Sequence, residues 1–228
     1  MNGPAPYDRR MLALLHTSPV HVPVFDALRD RQRPGLTLRH TVAPELLDRA
    51  RHEGPGAVAD EIAEVVRRAV DEGAGAVLCT CSTLGAVAET LPAPVPVLRV
   101  DRPMAEAAVA RAGDGRITVA AALASTLGPT ADLVTEAARR AGHRPRITTL
   151  LVPGAWDLFE AGDTDGYHRA VAAALTPLTG ADAVVLAQAS MEPARALLPA
   201  EPPVFASPGP GFAAAALAAT GEPGPPNG

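Results

Sequence analysis

Cys81 is the residue of this chain best suited to move a proton or attack carbon. It follows the apolar run Ala76-Val77-Leu78-Cys79-Thr80 and precedes Ser82-Thr83, the pattern of a strand end feeding a helix. A helix N-terminus can lower a thiol pKa from about 8.5 toward neutrality, which makes Cys81 a usable base or nucleophile. The competing reading is a small buried filler, since free Cys is often interior. Cys79, one pleat back, reads as core. An offset of 107 residues carries Cys81 onto Gln188, Pro92 onto Pro199 and Pro96 onto Pro203, and lays Met11-Leu12-Ala13-Leu14 over Thr118-Val119-Ala120-Ala121. The chain therefore reads as an internal repeat. Two similar units facing each other would place Cys81 and Gln188 on opposite walls of one cleft. Two thiols there would serve both faces of a substrate carbon; one thiol and one amide imply altered chemistry.

Parallel α/β sheets place ligands at the carboxyl ends of their strands. Four such ends carry small polar residues: His16-Thr17-Ser18, Cys81-Ser82-Thr83, Ser125-Thr126 and Gln188-Ala189-Ser190. Their hydroxyls can cap helix amides, and the amides with the hydroxyls can hold a carboxylate without Arg. His16 is the second candidate proton carrier, or an orienting group for a carboxylate; against this stands a strand-end His bonded to a loop carbonyl. His143 and His168 read as surface residues. Tyr167 and Trp156 read as packing under a loop. Arg99 and Arg102 are further carboxylate partners, Arg102 being equally readable as surface. A metal site fails on ligand count, because Cys79 and Cys81 form only a C-x-C with no His nearby. No Gly-x-Gly-x-x-Gly follows a strand, so dinucleotide binding has no support, and no Gly-x-Ser-x-Gly elbow occurs, which argues against a hydrolase of that kind.

These residues need a scaffold, and the hydrophobic pattern supplies one. Strands are expected at Met11–His16, Leu36–Val42, Ala76–Thr80, Val95–Val100, Arg116–Leu123, Arg146–Val152, Ala183–Gln188 and Val204–Ala206. Helices are expected at Ala57–Glu72, Pro103–Ala112, Leu127–Ala141, Asp165–Leu175 and Phe212–Ala219. This alternation means α/β architecture with mainly parallel sheets, built as two pseudo-symmetric domains. Residues 1–100 with 207–228 form the first, the closing helix returning to it, and residues 101–206 the second. The first six residues and the Pro- and Gly-rich tail from Gly221 are expected to be loose.

Length and charge narrow the partners. With 228 residues the chain can bury a sizeable core. A net charge of −5 and scattered Arg argue against a nucleic-acid partner. No apolar run is long enough for a membrane span, and no signal peptide is read at the N-terminus. The expectation is a cytoplasmic protein. Abundant Ala, Pro, Gly and Arg with no Lys is the usage of a GC-rich bacterial genome.

With Cys81 and the repeat located, the chain resembles the aspartate/glutamate racemase superfamily, which includes hydantoin racemases, maleate isomerase and arylmalonate decarboxylase. Cys81-Ser82-Thr83 is similar to its Cys-Asn-Thr signature. Val185-Leu186-Ala187-Gln188-Ala189-Ser190-Met191 is similar to the hydantoin-racemase-type Val-Leu-Gly-Cys-Ala-Gly-Met. Thr17, Ser18, Ser125 and Thr126 fall where family members hold substrate polar groups. The resemblance implies proton transfer or thiol chemistry at carbon next to the carboxylate of a small acid, without cofactor, and a possible homodimer. Decarboxylases of the group keep only the second-unit thiol, and isomerases use the first-unit thiol as nucleophile. Here Gln188 replaces the second thiol and Ser82 replaces Asn. Racemase, isomerase and decarboxylase all remain open, beside a non-catalytic small-molecule binder on the same scaffold.

Overall fold

The computed structural model describes residues 11–222. The expectations for the first six residues, and for the tail from residue 223 on, lie outside that range. The elements run β1 (Met11–His16), α1 (Val22–Gln32), β2 (Thr37–Val42), α2 (Pro44–Glu53), α3 (Ala59–Asp71), β3 (Ala76–Cys79), α4 (Ser82–Thr90) and β4 (Val97–Arg99). Then come α5 (Arg102–Ala112), β5 (Arg116–Ala121), α6 (Ala124–Ala141), β6 (Arg146–Leu151), α7 (Ala155–Glu160), α8 (Thr164–Leu175), β7 (Ala183–Leu186), β8 (Val204–Ala206) and α9 (Pro208–Thr220). Among the described residues, 11–100 with 208–222 make one compact unit and Asp101–Ser207 the other. Each holds a four-stranded all-parallel sheet, ordered β2-β1-β3-β4 in the first and β6-β5-β7-β8 in the second.

Both sheets are covered on both faces, which is why their central strands are continuous apolar runs. In the first unit Ala13, Leu15, Val77 and Cys79 face Leu46, Ile62, Val66 and Leu84 of α2, α3 and α4. Leu12, Leu14 and Leu78 face Phe25 and Leu28 of α1 and Phe212 and Ala216 of α9. In the second unit Ile117, Val119 and Val185 pack on α5 and α6, and Ala120, Val184 and Leu186 on α7 and α8. The return of α9 depends on Gly211, where a Cβ would lie inside the van der Waals radius of the Val100 carbonyl oxygen. Gly211→Ala should therefore cost roughly 3 kcal/mol through forced backbone displacement, read as a lower urea midpoint at unchanged slope. An unaltered midpoint would mean that α9 shifts freely.

The repeat is less regular than a single offset. β3 and β7 open at Ala76 and Ala183, and β4 and β8 at Val97 and Val204, each pair 107 apart. β1 and β5, however, open at Met11 and Arg116, a spacing of 105. Leu12 pairs with Ala76 where Ile117 pairs with Ala183, so the overlay of Met11 on Thr118 is two residues out. A slip of two keeps every side chain on its own face. Several ends also moved. α6 starts at Ala124 rather than Leu127 and takes Ser125 and Thr126 into its first turn. A 3-10 turn, Pro55–Val58, precedes α3. The helices α1, α2 and α7 were not expected. α7 carries Trp156, whose Nε1–H donates to Glu160 at 2.6 Å, so this residue lies on a helix and not under a loop.

Candidate active site

In the first unit the carboxyl ends of β1 and β3 come together. Cys81 is the N-cap residue of α4, in extended conformation (φ −100°, ψ 116°), so its side chain sits at the first free amides of the helix. The Thr17 hydroxyl and the Thr83 and Leu84 amides bear on the sulfur and favour its thiolate form, yet burial outweighs them and pushes the thiol pKa up. The lowered pKa expected at a helix start is therefore not realised: removal from water acts on the charged form more strongly than the dipole and donors together. Ser82 and Thr83 are both buried, and the Ser82 Oγ has no hydrogen-bond partner. Cys79 is buried in the core, as expected. Arg99 is also buried, its side chain running against Gly85 of α4, where a Cβ would meet the Arg99 Cβ at 2.9 Å. Ser18 is half-buried and makes no cap bond to the turn that follows it.

His16 is placed otherwise than a free proton carrier requires. It is fully buried; its Nδ1 lies 2.8 Å from Thr80 Oγ1 and its Nε2 2.8 Å from His40 Nδ1. The Thr80 Oγ1 also lies 3.1 Å from the Leu15 carbonyl oxygen, and one proton serves the His16 Nε2–His40 Nδ1 contact. Burial first, then the neighbouring His40 and His21, lowers the His16 pKa to about 3, and burial lowers that of His21 to about 4. Both imidazoles are thus neutral near pH 7. The role of His16 as the second proton carrier is corrected: both of its nitrogens are already engaged. Its partner is a threonine hydroxyl and a second imidazole, not a loop carbonyl.

These two depressed pKa values set a pH dependence. Unfolded, both rings titrate near 6.5; folded, they resist protonation down to about 3 and about 4. Between these limits the unfolded chain binds more protons, so stability is full above about pH 6.5 and falls as pH drops. The loss from pH 6.5 to 5 should be roughly 3 kcal/mol, seen as a falling urea midpoint. His16→Gln should flatten that slope; a midpoint constant from pH 7 to 5 would contradict the burial of these rings.

In the second unit the corresponding ends are β5 and β7. The Gln188 Oε1 accepts the backbone N–H of Ala122 at 2.7 Å and of Leu123 at 3.0 Å. Two donors at one atom fix the amide orientation, so the Nε2 group is what Gln188 can offer a ligand, and it is a donor only. Thr126 is buried, and the Ser125 Oγ is buried without a partner. Ser190 is engaged inside the unit: its Oγ lies 2.9 Å from the Tyr167 hydroxyl, and His168 Nε2 donates to its carbonyl at 3.1 Å. That takes its hydroxyl out of the expected polar cradle and moves His168 off the open surface. Tyr167 is core, as expected, and its pKa is pushed up to about 12 by burial. Ala189 is buried and opens a 3-10 segment, Ala189–Leu197, where the first unit has α4. Pro193 inside that segment lacks the N–H an α-helix needs there. His143 sits at the surface beside Asp114, and Arg102 pairs with Glu136 at 3.3 Å.

Sequence reasoning placed Thr80 at the strand end before Cys81 but missed its bond to His16, and missed His40 and the amides of Ala122 and Leu123. A usable signal was the tetrapeptide Ser-Thr-Leu-Gly, which opens α4 at Ser82 and recurs at Ser125 in the first turn of α6. Among the described residues no group of His, Cys, Asp and Glu could hold a metal ion, and no helix is long and apolar enough to cross a membrane.

This fold is shared with racemases and a decarboxylase. The chain superposes on an aspartate racemase from Picrophilus torridus with a TM-score of 0.68 at 14% identity, covering 94% of this chain and 95% of that one. A glutamate racemase from Bacillus anthracis gives 0.64 at 19% identity, covering 91% and 80%. An arylmalonate decarboxylase gives 0.56 at 16% identity, covering 92% and 93%. No protein-family model matches the chain, and no curated protein matches it in sequence. The architecture, two parallel α/β units, is the fold of these racemases and this decarboxylase.

Proposed function

We propose that this chain is a cofactor-independent enzyme that transfers a proton at carbon next to the carboxylate of a small acid. Cys81 is the proton-transferring group. Thr17, Ser18, Ser82, Thr83, Ser125 and Thr126 supply the polar cradle, and the Gln188 Nε2 group donates to a substrate oxygen. The observation that carries this reading is the Cys81 thiol at the start of α4 beside Thr17, with the unpartnered Ser82 hydroxyl next to it.

The raised thiol pKa favours one role over the others. A thiol that holds its proton is a poor resting base and a ready acid. Loss of carbon dioxide from a substrate leaves an electron pair on the α-carbon; the Cys81 S–H delivers its proton there, and the thiolate is reprotonated from water. Symmetric racemisation lacks its second acid, because an amide does not exchange protons at useful cost. Covalent addition to an alkene needs thiolate, which burial disfavours. The same raised pKa also fits a small-molecule binder with no catalytic thiol. Incubating candidate small acids in deuterated water separates these. Carbon dioxide release with deuterium at the α-carbon supports decarboxylation. Deuterium with loss of chirality supports racemisation, a cis-to-trans change supports isomerisation, and saturable binding without conversion supports the binder.

A further inference from the structure

We propose that the first unit carries a second binding site, separate from the Cys81 cradle, for a small carboxylate with an apolar body. A cavity of about 350 Å³ lies between α3 and the strands β1 and β2, at the outer edge of the sheet. That is within the range of small-molecule pockets. Its floor is apolar: Ala13 and Leu15 of β1, Val77 of β3, and Val65 and Ala69 of α3. Its rim is charged, with Arg39 of β2 and Arg68 and Glu72 of α3. The second unit shows why the space is open. Leu12 and Ile117 hold equivalent places, since they pair with Ala76 and Ala183. In that register Ala13 stands where the second unit has Thr118, Arg39 where it has Thr148, and Thr41 where it has Leu150. There Leu150 packs against the core, and the Thr118 and Thr148 hydroxyls meet at 3.2 Å. In the first unit Ala13 is too short to reach across, Arg39 turns to Glu72 with Nε 2.9 Å from Oε2, and Thr41 lacks the bulk of a leucine.

The rim holds positive charge that its neighbours leave underused. Among the described residues the one carboxylate within reach of Arg68 is Glu64, at 3.9 Å, too long for a hydrogen bond. Glu64 already accepts two bonds from Arg67, at 2.6 and 3.1 Å. Arg39 meets Glu72 through Nε, which leaves its terminal nitrogens as donors. Two guanidinium groups against one carboxylate make a net positive rim over an apolar floor, the complement of an acid with an apolar tail. A second cavity shares Thr41, Val65 and Arg68 with the first and is bordered by Glu45, Asp60, Glu61 and Glu64. Its Arg49 is already paired to Glu61 and Glu53. Those carboxylates turn an anion back toward Arg68 and Arg39. Both arginines are more than half exposed, so their charge selects for the acid while the floor supplies most of the affinity.

The isotope-labelled full-length chain is titrated by NMR with phenylacetate, with its uncharged isostere phenylacetamide, and with acetate, which lacks the apolar body. Phenylacetate should shift the amide signals of Ala13, Thr41, Val65 and Ala69 saturably. Phenylacetamide should bind there about three- to fivefold more weakly, the worth of an exposed ion pair, and acetate should leave these signals still. Arg68→Gln should bring the affinity for the acid down to that for the amide and leave the amide unchanged. Thr41→Leu puts the second unit's residue into the cavity. It should weaken both ligands by about tenfold or more through steric exclusion, while the urea midpoint holds or rises as the space is filled. Shifts confined to Thr17, Cys81 and Ser82 would place the acid at the strand ends and overturn the second site. So would the lack of any saturable shift, or binding that neither variant alters. Equal affinity for acid and amide in wild type would overturn the assignment of a carboxylate. None of these readings uses turnover, so they stand whether or not Cys81 proves reactive.

Discussion

Replacing Cys81 with Ala should lower turnover of whichever acid proves to be the substrate by about a thousandfold or more. The fold should barely respond. Cys81 packs at the edge of the core beneath α2, α3 and α4, its side chain closes no cap hydrogen bond, and trimming one sulfur there removes little packing. A shift in urea midpoint worth less than about 1 kcal/mol is expected. Cys81→Ser is the sharper control, since it keeps a hydroxyl of similar shape but with a proton far harder to give up. Both variants should be equally inactive at pH 7. Turnover retained in either one would assign the proton transfer to another group.

The second large effect belongs to Gln188→Glu. The two side chains have the same shape. One carboxylate oxygen can keep the Ala122 and Leu123 amides that Gln188 Oε1 now holds, and being charged it should hold them more strongly. The other oxygen replaces the Nε2 donor with an acceptor. If that group meets the substrate carboxylate, donation becomes repulsion, and affinity for the acid should fall by about 100-fold at pH 7. The loss should shrink as pH falls toward the carboxyl pKa and the added charge is neutralised. Stability should hold or rise. Gln188→Ala is the contrast: it strands two amides and should destabilise by about 1 to 3 kcal/mol. The ratio of ligand affinities in titration calorimetry checks the point. Equal affinity in Gln188→Glu and wild type would mean that Nε2 does not face the acid.

The structure divides these roles unevenly between the repeats. In the first unit a full α-helix follows the strand end at Cys81; in the second, Pro193 reduces the matching segment to a 3-10 run. A thiol placed at 188 would therefore lack the aligned dipole that a full helix supplies.

Much of this was legible in the chain itself. The strands β1 to β8 all fall within a residue or two of the runs that predict them, and β1, β3, β5 and β7 do so because strands buried on both faces must be almost wholly apolar. Cys81 at a strand-to-helix junction was legible for the same reason: an apolar run ends and Ser-Thr begins. The start of α6 was not, since Ser125 and Thr126 read equally as caps before a helix or as its first turn. Nor was the spacing of β1 and β5, because a slip of two residues leaves the inside-outside alternation untouched.

Sequence by itself determined the parallel α/β architecture, the duplication, the single thiol and the amide that stands in its counterpart's position. Those are matters of composition and period, which a linear chain displays. Tertiary structure alone decided that His16 is sealed between Thr80 and His40, that Gln188 turns its oxygen onto two amides, and that Cys81 holds its proton. Each of these depends on which groups lie within a few ångströms and how much water is excluded, and neither quantity is a function of spacing along the chain.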